Sequence, residues 1–457
     1  MTPHPTSDPA TWAEATFGSA ILGDSRRTRR VVAAATAMAT PPAASLPRQA
    51  GDWAALKGIY RVLDEEDVTF AALMTPHWQQ TRQVAARPPL VLLVQDTTEL
   101  NYTRHPAAED LGPIGNENGR GYLLHSVLAV HPERRDVLGL LHQEPFLRAA
   151  APPGENTSQR LKRNRESQVW GRAVEAVGAP PDGTTWVHVG DRGSDVFPFL
   201  SACRAQQVHF LVRACQNRRV DRADDTRDYL LDVARQLPGQ GTREVELPAR
   251  AGCAARRATL HVATTTLTLV PPVQDPRYSP LPAWVIRVWE VDPPATVDEP
   301  VAWVLVTSVA TTTVEQAWER VAWYTCRWMI EDYHQGLKTG CEIEHRQFET
   351  TARLWRLLGL CSPIAVRLLQ LRQVGRLDPE RPAVEVVPAE VVAVVAAIRG
   401  LDPTTLTAGV VMGEIARFGG YLGRHRDGPP GWKTLWHGWQ YVHTLVEGVR
   451  LAQLLSP

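Results

Sequence analysis

Six side chains in this sequence have the types and order for phosphoryl chemistry. Four lie in "YTCRWMIEDYHQGLK", residues 324–338: Tyr324, Arg327, Glu331 and Lys338. If residues 318–338 form one regular helix, at about 100° per residue, Tyr324, Arg327, Glu331, His334 and Lys338 share an arc of about 80°. Asp332 and Gln335 point elsewhere. An Arg327–Glu331 pair at i,i+4 spacing explains part of this face. A purely solvated face, however, has no need of the Tyr and Trp rings around it.

The other two are Asp96 and Asp191, which end the apolar runs "PLVLLVQD" and "TTWVHVGD". Such runs read as buried central strands, and active sites gather at strand ends in α/β sheets. One acid there is as readily a helix N-cap. Two on neighbouring strands repel each other, and a cation relieves that repulsion. Two strand-end carboxylates and one from a helix form a hard oxygen set suited to Mg²⁺ or Mn²⁺. Paired divalent ions activate a nucleophile and stabilise a leaving oxygen in phosphoryl transfer. Arg grips a phosphate bidentately and Lys as a point charge. The expected chemistry is cleavage or strand transfer on a nucleic-acid backbone.

The positioning elements follow from composition shifts along the 457 residues. Residues 11–75 read as short helices broken at "LGD" and "PPAASLPRQAG". From about residue 88 the pattern becomes strand, hairpin ("YLLHSVLAVHPERRDVLGLLHQEPFLR"), helix over 158–178, strand, helix ("VFPFLSACRAQQ") and strand ("VHFLVRAC"). That order predicts a mixed sheet with helices against it. Residues 219–310 alternate β-branched and polar residues with many prolines and read as a separate β-rich module. Helices return at 313–373, and a Trp-rich helical tail follows the linker "GRLDPERPAVEVVP".

With 44% hydrophobic and 21% charged residues the chain reads as globular and soluble. No run approaches the eighteen or more apolar residues of a membrane helix, and residues 1–12 show no signal-peptide pattern, so the cytoplasm is the expected location. The six cysteines (203, 215, 253, 326, 341, 361) form no CxxC pair, which points to reduced thiols. Net charge is zero, yet arginines cluster: Arg26, Arg27, Arg29 and Arg30; Arg160, Lys162, Arg163 and Arg165; Arg213, Arg218 and Arg219. Such clusters suit a nucleic-acid groove or solvated helix faces.

Taken together, "VLLVQDTTEL", "VHVGDRGSDVFPFL" and "YTCRWMIEDYHQGLKTG" resemble the three acidic motifs of bacterial cut-and-paste DDE insertion-sequence transposases of the Tn-five type, with their Tyr-x2-Arg-x3-Glu-x6-Lys signature. "WAEATFGSAILGDSRRTRRV" is similar to that family's end-binding domain, and "IARFGGYL…GWKTLWHGW" to its dimerisation region. The resemblance implies an α/β fold: a ribonuclease-H-like mixed-sheet catalytic core with a β-rich insertion, flanked by N-terminal and C-terminal helical domains. The implied domains are 1–75 for end binding, 76–375 for catalysis (insertion about 219–310) and 376–457 for dimerisation.

It further implies a triad of Asp96, Asp191 and Glu331 holding Mg²⁺ or Mn²⁺. Tyr324, Arg327 and Lys338 would grip transposon-end phosphates, and Arg26, Arg27, Arg30 and Arg213 would contact DNA. The family stacks a flipped base on Trp; Trp303 is the candidate, with Trp328 second. The implied partners are terminal-repeat and target double-stranded DNA and a second copy of the chain, at the bacterial nucleoid. The implied activity is excision and integration through two-metal cleavage, hairpin formation and strand transfer. "MATPPAASLPRQAG" departs from the family's basic-aromatic loop, so end recognition differs here, and Gly193 and Ser194 depart within the second motif. Two rival readings stay open: an inactive DNA-binding descendant, and a metal-dependent nuclease without strand transfer. A carboxylate-pair glycosidase leaves Arg327 and Lys338 unexplained.

Overall fold

A computed structural model describes residues 5–40, 42–115, 119–148, 152, 154–156, 165–247, 255–273, 275, 277–295, 297–424 and 428–455. Arg160, Lys162, Arg163 and Cys253 lie outside the described residues.

The N-terminal region is five helices: α1 (Pro9–Phe17), α2 (Ser25–Ala39), α3 (Leu46–Ala50), α4 (Trp53–Asp64) and α5 (Phe70–Ala85). Three of them start at aspartate side-chain caps. Asp8 accepts from the backbone N–H groups of Ala10 and Thr11, Asp24 from that of Arg26, and Asp52 from that of Ala55.

The core begins with β1 (Leu90–Asn101), β2 (Gly112–Ile114), β3 (Gly119–Val130) and β4 (Val137–Phe146). It continues through α6 (Val169–Val177), β5 (Thr185–Gly190), α7 (Phe197–Ala205) and β6 (His209–Arg213). β1 runs antiparallel to β3 and parallel to β5, which is parallel to β6, while β4 pairs antiparallel with β3. The resulting order β4-β3-β1-β5-β6, three antiparallel strands followed by two parallel ones, is the ribonuclease-H-like arrangement. Apolar residues fill the first half of β1, Leu90–Val94, because both of its faces are covered there. Leu92 and Val94 join the core under the N- and C-terminal helices, whereas Val91 and Leu93 join the core under α6 and α7.

The insertion holds β7 (Arg219–Asp221), β8 (Arg227–Tyr229), α8 (Leu230–Gln236), β9 (Gly241–Leu247), β10 (Arg256–Leu269), β11 (Leu281–Glu290) and β12 (Ala302–Thr307). It is not the separate module expected from its composition. β12 pairs antiparallel with β6, matching Leu305 to Arg213 and Thr307 to Leu211, so insertion and core share one sheet among the described residues. The physical reason is edge protection: β6 alone would present unpaired N–H and C=O groups.

The chain closes with α9 (Val314–Thr325), α10 (Trp328–Gln335), a π-helical turn at Gly336–Gly340, α11 (Thr351–Leu377), α12 (Ala383–Val386), α13 (Ala389–Arg399), α14 (Ala408–Phe418) and α15 (Trp432–Leu455). The expected single helix over 318–338 is therefore interrupted twice. Around Cys326–Ile330 the backbone tightens to i→i−3 bonds, Arg327 N–H to Tyr324 O and Ile330 N–H to Arg327 O, and it then widens into the π turn. The sequence reading also missed that α11 meets the length and apolarity of a membrane span, with a mean hydropathy of 1.3; 83% of that stretch is buried inside the protein. Here it is the central helix of the helical layer.

Candidate active site

Asp191 lies directly after β5 as expected, whereas Asp96 sits in the middle of β1, which runs on to Asn101 because it keeps pairing with β3. The two strands are adjacent and parallel, and their mutual pairing stops at Val94 and Val189, just before the two acids. The Asp96 carboxylate accepts from the Thr97 N–H at 2.8 Å. Asp191 caps a 3-10 turn, Arg192–Ser194, accepting from the Gly193 N–H at 2.8 Å. The Ser194 hydroxyl donates back to the Asp191 carbonyl at 2.6 Å. Gly190 is required by this fold-back: a Cβ there would meet Ser194 Oγ at 2.4 Å. Burial, then the charge of Asp191, push the Asp96 carboxyl up to about 6. That shift is the electrostatic signature of two carboxylates sharing a partly dry site.

α10 brings Glu331 to the same place. Arg327 bridges the acids: its guanidinium lies 2.7 Å from Glu331 and 4.0 Å from Asp96. Tyr324 is buried; burial raises its phenol, opposed by the nearby Arg327 and Arg213. Trp303 on β12 packs edge-on against Tyr324, ring centres 5.3 Å apart, and Arg213 lies over the Trp303 ring at 5.9 Å. The cross-strand register explains this meeting, because Arg213 faces Leu305, two residues from Trp303. Trp328 instead stands 58% exposed, with Arg327 over its ring at 4.8 Å. Lys338 leaves α10 on the π turn, and its ammonium is 3.8 Å from Glu344.

Glu344 was not singled out in the sequence. It also accepts from the Asn101 N–H at 2.8 Å, tying the end of β1 to the segment after Lys338. No local spacing rule links residues 101 and 344, so only the fold exposes the contact.

His334, which the helical wheel placed beside Glu331, is buried and neutral; burial, then Lys338, pull it down to about 3. Its Nε2 lies 3.4 Å from Ser126 Oγ, on the strand position paired with Asp96. Gln143 donates to both Ser126 Oγ and the Tyr333 hydroxyl at 2.9 Å. A second chain occupies the opposite sheet face. Gln95 bonds His188, His125 Nε2 donates to Gln95 Oε1 at 3.0 Å, and Thr97 Oγ1 meets His125 Nδ1 at 2.8 Å. Both networks flank the motifs without touching the open site.

In the N-terminal helices, Arg26 and Arg30 are exposed. Arg27 is committed within the domain, to Glu65 at 3.0 Å and Asp67 at 2.7 Å.

The donor set, carboxylate oxygens alone, suits a hard divalent cation. The mutual repulsion seen at Asp96 is what such a cation relieves. Among the described residues, however, no three potential ligands close around one point, and Glu331 is held by Arg327. Two ligands are thus poised and the third is paired with an arginine.

Three family models match this chain. One described as transposase DNA-binding matches residues 9–68, one described as transposase DDE domain matches 168–366, and one described as transposase Tn5 dimerisation domain matches 363–457. The DDE match includes Asp191, Trp303, Tyr324, Arg327, Glu331 and Lys338 and begins after Asp96, which β1 supplies through its pairing with β5. α11 carries the junction between the DDE and dimerisation matches as one unbroken helix. In motif order, sheet topology and domain sequence, this chain belongs to the Tn5-type DDE transposases.

Proposed function

We propose that the protein excises and integrates an insertion sequence by DNA cleavage, hairpin formation and strand transfer. The observation that carries this reading is the meeting of Asp96, Asp191 and the Arg327–Glu331 pair where the parallel strands β1 and β5 cease to pair. Asp96, Asp191 and Glu331 would hold Mg²⁺ or Mn²⁺. When bound, the ions supply activation of the attacking oxygen and charge stabilisation at the leaving oxygen. Arg327 would release Glu331 and turn to a DNA phosphate, a bidentate acceptor of the same geometry. Tyr324 and Lys338 would hold the neighbouring phosphates, and Arg213 would steady the strand beside Trp303.

In the first step water attacks the phosphodiester at the element's end and frees a 3′-hydroxyl. That hydroxyl attacks the opposite strand and forms a hairpin, which a second water opens. The 3′-ends then attack target DNA. Positioning and charge stabilisation carry most of the rate, as in other phosphoryl transfers. Trp303 would receive an unstacked base, with Trp328 as the exposed alternative. Arg26 and Arg30 would meet the terminal repeat, and Arg27 would support them through its ion pairs. Two protomers would bridge the two ends.

The test is incubation of the protein with Mg²⁺ and DNA bearing its element's end, resolving nicked, hairpin and joined products. All three products are expected from wild type and none from Glu331→Ala. Full activity in that variant would sink the assignment, and cleavage without hairpins or joining would leave a nuclease.

A further inference from the structure

A cavity of about 550 Å³ opens beside the second motif, bounded by the turn after Asp191, the start of α7, the β6–β7 connection and the β10–β11 loop. It lies at the same carboxyl edge of the sheet as the candidate site and borders the α6–α7 side of the core, opposite Glu331.

Three arginines line it: Arg165, Arg218 and Arg219. Its two lining acids are already neutralised. Asp195 is paired with Arg218 and accepts from the Cys215 and Gln216 N–H groups at 2.7 and 2.8 Å. Asp275 takes both of its bonds from Arg277, at 2.6 Å each. Arg165 and Arg219 have no carboxylate partner among the described residues, so the lining keeps an unbalanced positive charge. The Nε atoms of Arg165 and Arg218 are buried with no acceptor, and a buried N–H without a partner is costly. Apart from Ser167 and Gln216 the remaining wall is apolar or aromatic, with Phe197, Tyr278 and the pair Pro271–Pro272. Phe197 and Tyr278 have ring centres 5.6 Å apart.

We infer that this cavity is a second nucleic-acid subsite, taking an unpaired nucleotide of DNA with its phosphate on Arg165 and Arg219 and its base against Tyr278. Free guanidiniums beside an aromatic and proline wall recognise a flat ring carrying an anion, which is the chemistry of single-strand grooves. A double helix is too wide for a cavity of this volume. The 3-10 turn that ends in Ser194 joins Asp191 to the cavity wall at Asp195. A strand unpaired at the candidate active site therefore reaches the cavity within a short path. The inference rests on the proposed function for its source of unpaired DNA.

The test uses the full chain in metal-free buffer, so binding is read without cleavage. Labelled octathymidylate is titrated against wild type, Arg165→Ala/Arg219→Ala and Tyr278→Ala at several salt concentrations. The double variant should bind about tenfold more weakly, with the salt slope reduced by about 0.7, one single-strand phosphate contact. Tyr278→Ala should also lose about tenfold, the scale of one stacked base. Binding of the duplex element end should stay within about twofold of wild type. In wild type, 5-iodouracil in the oligonucleotide should crosslink to Tyr278, a readout independent of whether any variant folds. Unchanged single-strand affinity, equal losses for duplex and single strand, or crosslinks confined to Trp303 and Trp328 would overturn the subsite. Competition by thymidine monophosphate as strong as by the octamer would overturn the strand and assign a free nucleotide. Because binding is read without metal, intact binding here together with no products in the separate Mg²⁺ cleavage assay would count against the proposed function alone.

Discussion

The two sides of the helix carrying Glu331 are built on opposite principles. On the front, Arg327, Trp328 and Glu331 are held by one another, and the Glu331 side chain is 41% exposed. On the buried side, Tyr333 bonds Gln143, and His334, one turn further along the Glu331 arc, is buried beside Ser126. Asp332 anchors a third direction through Arg372 of α11 at 2.7 Å. A side chain that must exchange partners cannot sit in a buried hydrogen-bonded network, because breaking such a network strands polar groups away from water. The rear of the helix fixes position, and the front retains groups that can turn to a cation or a phosphate.

The strongest way to break this division is Glu331→Ala. Cleavage should fall by about three orders of magnitude or more, at the upper end of losing one preorganised electrostatic group, while melting shifts by less than about 0.5 kcal/mol, as for surface sites. Parallel gel assays and thermal melts check both. Arg327→Ala should lower cleavage by about 10–100-fold through lost phosphate binding and reduce the salt slope of DNA binding by about 1.

On the rear side the effects should reverse. His334→Ala should destabilise the fold by about 1–3 kcal/mol by leaving buried polar groups unmatched, with His334→Gln recovering part of it. Denaturant midpoints read this directly, and a loss in cleavage larger than the loss in folded fraction would show that the rear sets the reach of Glu331.

A smaller effect comes from pH. The folded Asp96 carboxyl is raised to about 6 from 3.8, so its contribution favours folding below 3.8 and is lost as pH rises through about 6. Metal-free Asp96→Asn should therefore be more stable than wild type at pH 8, by about 1–3 kcal/mol, and no more stable at pH 3. Added Mn²⁺ should raise the wild-type melting temperature at pH 8 and not at pH 4.5, where Asp96 is protonated. Equal metal stabilisation at both values would separate Asp96 from the cation.

Much of the core was legible because its signals are local. The apolar runs ending in Asp96 and Asp191 are strands for the reason read from them: both faces are buried. Helices return at Thr313 as expected, and a capping box of Thr313 and Gln316 starts the first of them. The helical wheel brought Arg327 to Glu331 correctly, since i,i+4 proximity survives a tightened turn. It also put His334 on that arc, and there the sheet covers it: His334 is buried beside Ser126, the strand partner of Asp96. The β-rich segment was misread as separate because strand pairing across ninety residues leaves no trace in local alternation.

What the sequence by itself determined was the cast of candidate side chains, most of the elements bearing them and the family. Each rests on local order: residue type, spacing and apolar period. Only the tertiary structure decided which arginines are free. Arg27 is spent on Glu65 and Asp67, while Arg165 and Arg219 face a cavity. It alone also set Lys338 against Glu344, Trp303 against Tyr324 and His334 under Ser126. Those pairings depend on sheet register and on which helix face is covered, and both arise from long-range burial that no local window contains.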